Sequence, residues 1–79
     1  MTGDQMQFVD EVTSIVINII QESGVVPSDD SVKRIIENLL MDYNSVSNKY
    51  ERLFGEEEDC TEFVNAVTFG VKSSFSVPA

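Results

Sequence analysis

The chain has no histidine, no tryptophan, one cysteine, and only five basic residues against fourteen acidic ones. Each shortage removes a class of activity. Without histidine there is no imidazole general base and no Cys–His nucleophile pair, and a His/Cys zinc site has no ligand set. One cysteine cannot close an intrachain disulfide, so the usual mark of an oxidising compartment is missing. The formal net charge of −9 repels a phosphate backbone, which needs clustered Lys and Arg to displace its counterions. Anionic membrane is disfavoured for the same reason. No apolar run reaches the roughly 18 residues of a membrane span. The opening "MTGDQMQFVDEV" has neither a basic nor an apolar signal segment. A cytoplasmic address is the expectation, with no direct nucleic-acid or membrane partner.

Seventy-nine residues give one expected domain with a thin core. Hydrophobic residues at 42% and charged residues at 24% are ordinary for a folded protein. The stretch "VTSIVINII", Val12 to Ile20, is rich in the β-branched residues that strands favour. Its period decides otherwise. On a 3.6-residue wheel Phe8, Val9, Val12, Ile15, Val16, Ile19 and Ile20 fall within an arc of about 140°. In period 2, Ser14 and Asn18 would share a face with Val16 and Ile20. Burial of the stripe outweighs a few tenths of a kcal/mol of propensity per β-branched residue. A helix over about 4–23 follows, with Thr2 or Asp4 as N-cap, Gln5 or Gln7 three residues on, and Gly24 as C-cap.

Ser28 then caps a second helix, with Asp29 and Asp30 in its first turn. Val32, Ile36, Leu39, Tyr43, Val46, Tyr50 and Leu53 recur at spacings of four and three, a heptad seam that predicts one continuous helix over about 29–54. Asp59 with Glu62 suggests a third helix start. Cys60, Phe63, Val64, Val67 and Val71 share a face to about residue 73, leaving 74–79 as an irregular tail in which Phe75 can tuck against the core. Gly70 inside that helix marks either close helix contact or fraying. The predicted fold is all-α: a small antiparallel three-helix bundle with a long middle helix. Because that helix outreaches its neighbours, a homodimer through Tyr43, Val46, Tyr50 and Leu53 is one expectation.

No motif carries chemistry. The acids Glu56, Glu57, Glu58, Asp59 and Glu62 lack the alternating oxygens and turning glycine of a calcium loop, so no metal is expected. Phosphate loops and nucleophile elbows are absent. Paired catalytic carboxylates need a cleft, which a small bundle with its acids outside does not offer. Cys60 falls on an apolar stripe and reads as a buried thiol. Asp30-Ser31-Val32, at a helix start in a small acidic protein, resembles the Asp-Ser-Leu site at which acyl carrier proteins take up phosphopantetheine. Val32 stands where that family has leucine, and the segment before it is short where the family has a long loop. No cofactor is therefore carried over, and no enzymatic activity is expected.

Charge is uneven along the chain. Residues 1–24 hold four acids and no base, residues 25–54 five acids and four bases, and residues 55–79 five acids and Lys72. If the outer helices share a surface, their acids form a broad negative face, the electrostatic imprint of a nucleic acid. Such a face suits a basic protein surface. Asp10 and Glu11 on the first helix, and Glu56, Glu57, Glu58, Asp59, Glu62 and Phe69 near or on the last, are the candidate partner-binding residues. Ile17, Met41 and Phe69 fall off their core arcs, with Met6 on the edge of Ile17. An aromatic such as Phe69 in an acidic rim is a plausible anchor.

Overall fold

The computed structural model describes residues 2–55 and 60–75. Four α-helices, α1 (Gly3–Ser23), α2 (Asp29–Asp42), α3 (Asn44–Phe54) and α4 (Thr61–Phe75), make up the described chain, which shows no strand. The wheel thus prevails over strand preference in the amino-terminal third. Thr2 is the N-cap of α1: its Oγ1 accepts from the Gln5 N–H at 3.2 Å, and its own N–H donates to Gln5 Oε1 at 2.8 Å. Gly24 closes the helix in the left-handed region at φ 72°, its N–H donating to the Ile20 carbonyl. Ser28 caps α2 in the same reciprocal manner, with Ser31 at the third helical position.

The continuous middle helix expected over 29–54 is two helices, broken at Tyr43. This residue is extended (φ −113°, ψ 102°), donates its N–H to the Leu39 carbonyl as the last bond of α2, and accepts from the Ser47 N–H as the first bond of α3. Around the break runs "DYNSVSN", where Asp, Asn and Ser side chains compete for backbone groups and weaken helix. Tyr43 is left 58% exposed, while Tyr50 is 6% exposed and inside the core. No middle helix outreaches α1, so the length argument for a homodimer through this seam does not hold. Of the residues assigned to that seam, Val46 and Leu53 are half-buried against the core and only Tyr43 faces water.

Helix directions follow from which residues meet. Phe8 packs on Phe63 and Thr13 on Gly70, so α1 and α4 run parallel, as first and last helices of an up-down-up bundle do. Gln5 meets Leu53 and Glu11 meets Lys49, so α3 runs antiparallel to α1. Asp29 meets Lys72, and Leu40 shares a groove with Cys60, so α2 is antiparallel to α4. The core holds Phe8, Val9, Val12, Val16 and Ile20 of α1, Val32, Ile36 and Leu39 of α2, Tyr50 of α3, and Phe63, Val67 and Val71 of α4. Four rings join three of these helices. Phe8 stacks on Phe63 with centroids 5.5 Å apart, Tyr50 stacks on Phe54 at 4.9 Å, and both Tyr50 and Phe54 meet Phe63 edge-on, at 5.1 and 5.3 Å.

Smaller departures have local causes. Ile15, expected in the core, is 38% exposed, whereas Ile17, expected outside, is half-buried. Both shifts follow from α4 pressing on the Thr13 flank of α1: Ile17, one turn beyond Thr13, is covered, and Ile15 on the opposite flank is not. Helix α4 continues to Phe75 rather than stopping at 73, and Phe75 packs against the core. Cys60 is half-buried rather than enclosed. The expected Asp59–Glu62 cap and residues 76–79 lie outside the described residues.

Gly70 marks close contact. A Cβ there would stand 3.0 Å from Thr13 Cγ2 and 3.3 Å from its Oγ1. Thr13 cannot easily rotate away, because its hydroxyl donates to the Val9 carbonyl at 2.7 Å. In a Thr13→Ala background, Gly70→Ala is expected to stabilise by about 1 kcal/mol through helix propensity. In the wild-type background the same change is expected to gain nothing or to destabilise. A double-mutant cycle by urea denaturation reads the coupling, and additivity would show that the two helices are not in contact here.

Candidate functional site

The expected partner-binding residues divide into two groups. Glu11 is engaged within the fold: its Oε2 accepts from Lys49 Nζ at 2.8 Å, and that ammonium also lies 5.6 Å from the centroid of the Phe8 ring. Asp10, Glu62 and Phe69 are exposed. Their placement follows from the Thr13–Gly70 contact. On the wheel Asp10 lies about 60° outward of Thr13, and Glu62 and Phe69 about 80° and 100° outward of Gly70. All three therefore flank one crossing on the solvent side of the α1/α4 layer. Glu56, Glu57, Glu58 and Asp59, at the entry to α4, lie outside the described residues.

The electrostatics of this face are one-sided for a simple reason. Helix α1 contains no Lys or Arg, and Lys72, the single base of α4, points to α2, where its Nζ donates to Asp29 Oδ1 at 3.0 Å. Two bases, Lys49 of α3 and Lys72 of α4, are thus held by ion pairs on the flanks, and the one that α4 supplies is turned toward α2.

A second feature was not read from the sequence. Two contiguous depressions run along the seam between α2 and α4. The larger, about 550 Å³, is bounded by Asp29, Asp30, Phe69 and Lys72; the smaller, about 330 Å³, by Ile36, Leu40 and Cys60. Lys33, Val64 and Asn65 line both. Phe69 and Val64, placed on opposite sides of α4 by the wheel, therefore border the same hollow. The only sequence signal for it is Val64 beside half-apolar positions of α2, which resembles ordinary core.

Ser31 has a structural part. Its hydroxyl accepts from the Ser28 N–H at 3.0 Å and donates to the Val26 carbonyl, so it holds the α1–α2 connector to the start of α2. Among the described residues no cluster of three or more metal-ligating side chains occurs, and no helix is long and apolar enough to cross a membrane. No protein-family model matches the chain, and no match is found among curated proteins or solved structures.

The Glu11–Lys49 pair sits with its side chains 47% and 45% exposed, so water screens it. Glu11→Gln is expected to cost less than about 1 kcal/mol in chemical denaturation. A larger loss would mean that the pair, rather than the rings beneath it, holds α3 to α1.

Proposed function

We propose that the protein is a non-catalytic, acidic interaction module: a small regulator or inhibitor that docks on a basic, nucleic-acid-binding surface of a larger cytoplasmic protein. The observation that carries the reading is the side-by-side packing of α1 and α4. Helix α1 has four acids and no base, and α4 lies against it with one acid, Glu62, exposed and its one base, Lys72, turned away to Asp29. A face of one sign attracts a partner of the other and raises its encounter rate. Asp10 and Glu62, with Glu56, Glu57, Glu58 and Asp59 that precede α4 in sequence, supply the charge, and Phe69 supplies an apolar anchor. Glu11 contributes less, because Lys49 neutralises it. A reading as a structural, self-assembling subunit draws on a different observation, the exposed Met41 and Tyr43 at the α2–α3 joint.

Salt separates the two, since ionic docking is screened and apolar association is not. With the tagged protein as bait in a host lysate, capture of nucleic-acid-binding proteins is expected at low salt. Release is expected at high salt or on adding heparin. Asp10→Lys combined with Glu62→Lys is expected to reduce capture at least tenfold, and reversal of residues 56–59 to reduce it further. Specific capture that withstands heparin, high salt and both sets of reversals would refute electrostatic docking.

A further inference from the structure

We propose that the outer ridge of α2 is a self-association surface whose occupant is a second copy of this chain, packed antiparallel about a two-fold axis. The ridge is Asp30, Arg34, Glu37 and Met41, all exposed, at spacings of four, three and four, which align them along one side of the helix. Its charges alternate in sign. With the groove beside it, the face carries Asp29, Asp30 and Glu37 against Lys33, Arg34 and Lys72, so it is locally neutral in a chain of net charge −9. A second −9 chain is repelled by the α1/α4 face and meets no such repulsion here.

Two independent features select one register. In an antiparallel pair of α2 helices, setting Arg34 opposite Glu37 of the second copy sets Glu37 opposite Arg34 of that copy, as two-fold symmetry requires. The same register brings Met41 of the second copy level with Asp30. That is the mouth of the 550 Å³ depression bordered by Asp30 and Phe69. Met41 is 80% exposed and Phe69 75%, which with Val26, also 75%, are the three most exposed large apolar residues among those described. The register gives each Met41 a hollow and each Phe69 an apolar neighbour, twice over. This surface shares Phe69 with the docking face but not Asp10 or Glu62, and its Arg34–Glu37 pairing does not depend on the docking function proposed above. It also differs from the Tyr43, Val46, Tyr50 and Leu53 seam, whose Tyr50 is spent in the core.

A single helix ridge about 16 Å long covers less than the roughly 800 Å² per partner of a standard interface, so the dimer is a weak one. Sedimentation equilibrium up to roughly 1 mM covers the affinity expected of such a contact. The wild-type chain is expected to dimerise in this range. Arg34→Glu alone and Glu37→Arg alone are each expected to associate at least tenfold more weakly, because like charges then face each other. An equimolar mixture of the two variants is expected to recover the dimer, since each variant's reversed charge meets its complement on the other chain. Intrahelical effects cannot produce that recovery, because each chain keeps its own sequence on mixing. Met41→Glu is expected to abolish association with the helical circular-dichroism signal unchanged. A wild-type chain monomeric throughout, single variants that dimerise like the wild type, or a mixture no stronger than either variant alone would each overturn the proposal.

Discussion

The ring cluster of Phe8, Tyr50, Phe54 and Phe63 is the contact on which the remaining structure depends. It is where α1, α3 and α4 meet, with Phe63 touching the other three rings. Buried rings bring large apolar area and a preferred offset or edge geometry, so they fix relative helix position as well as stability. In a chain with little core to share, that positioning matters. Beside the cluster, Gln5 Nε2 donates to the Leu53 carbonyl at 2.7 Å, while its Oε1 accepts from Thr2. One amide thus caps the start of α1 and satisfies an orphan carbonyl at the end of α3. The Lys49 ammonium over Phe8 covers the cluster from the solvent side.

The break at Tyr43 follows from the same cluster. A straight helix over 29–54 would be about 39 Å long, against about 32 Å for α1. The extended residue at 43 redirects the chain, so that α2 lies along α4 while α3 lies along α1 and brings Tyr50 and Phe54 to the Phe8–Phe63 pair. Exposing Tyr43 forfeits the burial of one ring, and enclosing Tyr50 recovers it within the same heptad pattern. Gly55, at φ 77°, then turns the chain out of α3.

How far the sequence discloses this differs by element. Helices α1 and α4 are legible because their apolar stripes are dense: Phe8, Val12 and Val16, and Phe63, Val67 and Val71, recur at helical spacing and all are buried. Both ends of α1 and the start of α2 are legible because Thr2, Gly24 and Ser28 have few other roles at those positions. The break is hidden because the seam stays in phase across it. Leu39, Tyr43 and Val46 keep spacings of four and three whether or not the backbone bends between them. Only the weak helix formers around Asn44, Ser45 and Ser47 hint at it, and propensity is a weak prior against periodicity. The exchange of Ile15 and Ile17 has no local signal, because it depends on how closely Gly70 lets α4 approach Thr13. Of the candidate site, the charge of Asp10 and Glu62 is legible; the capture of Glu11 by Lys49 is tertiary.

The same packing sorts the charges. Lys49 is drawn to Glu11 because α3 runs antiparallel along α1, and Lys72 to Asp29 because α2 runs antiparallel to α4. Both pairs sit at helix junctions and are exposed, so they add little stability. Their larger effect is on what is left over. By consuming the bases nearest to them, they leave the α1/α4 surface negative, while Lys33 and Arg34 stay with Asp30 and Glu37 on α2. The fold thereby divides one strongly acidic composition into a repelling face and a neutral one. A charge-averaged chain of the same composition would carry neither.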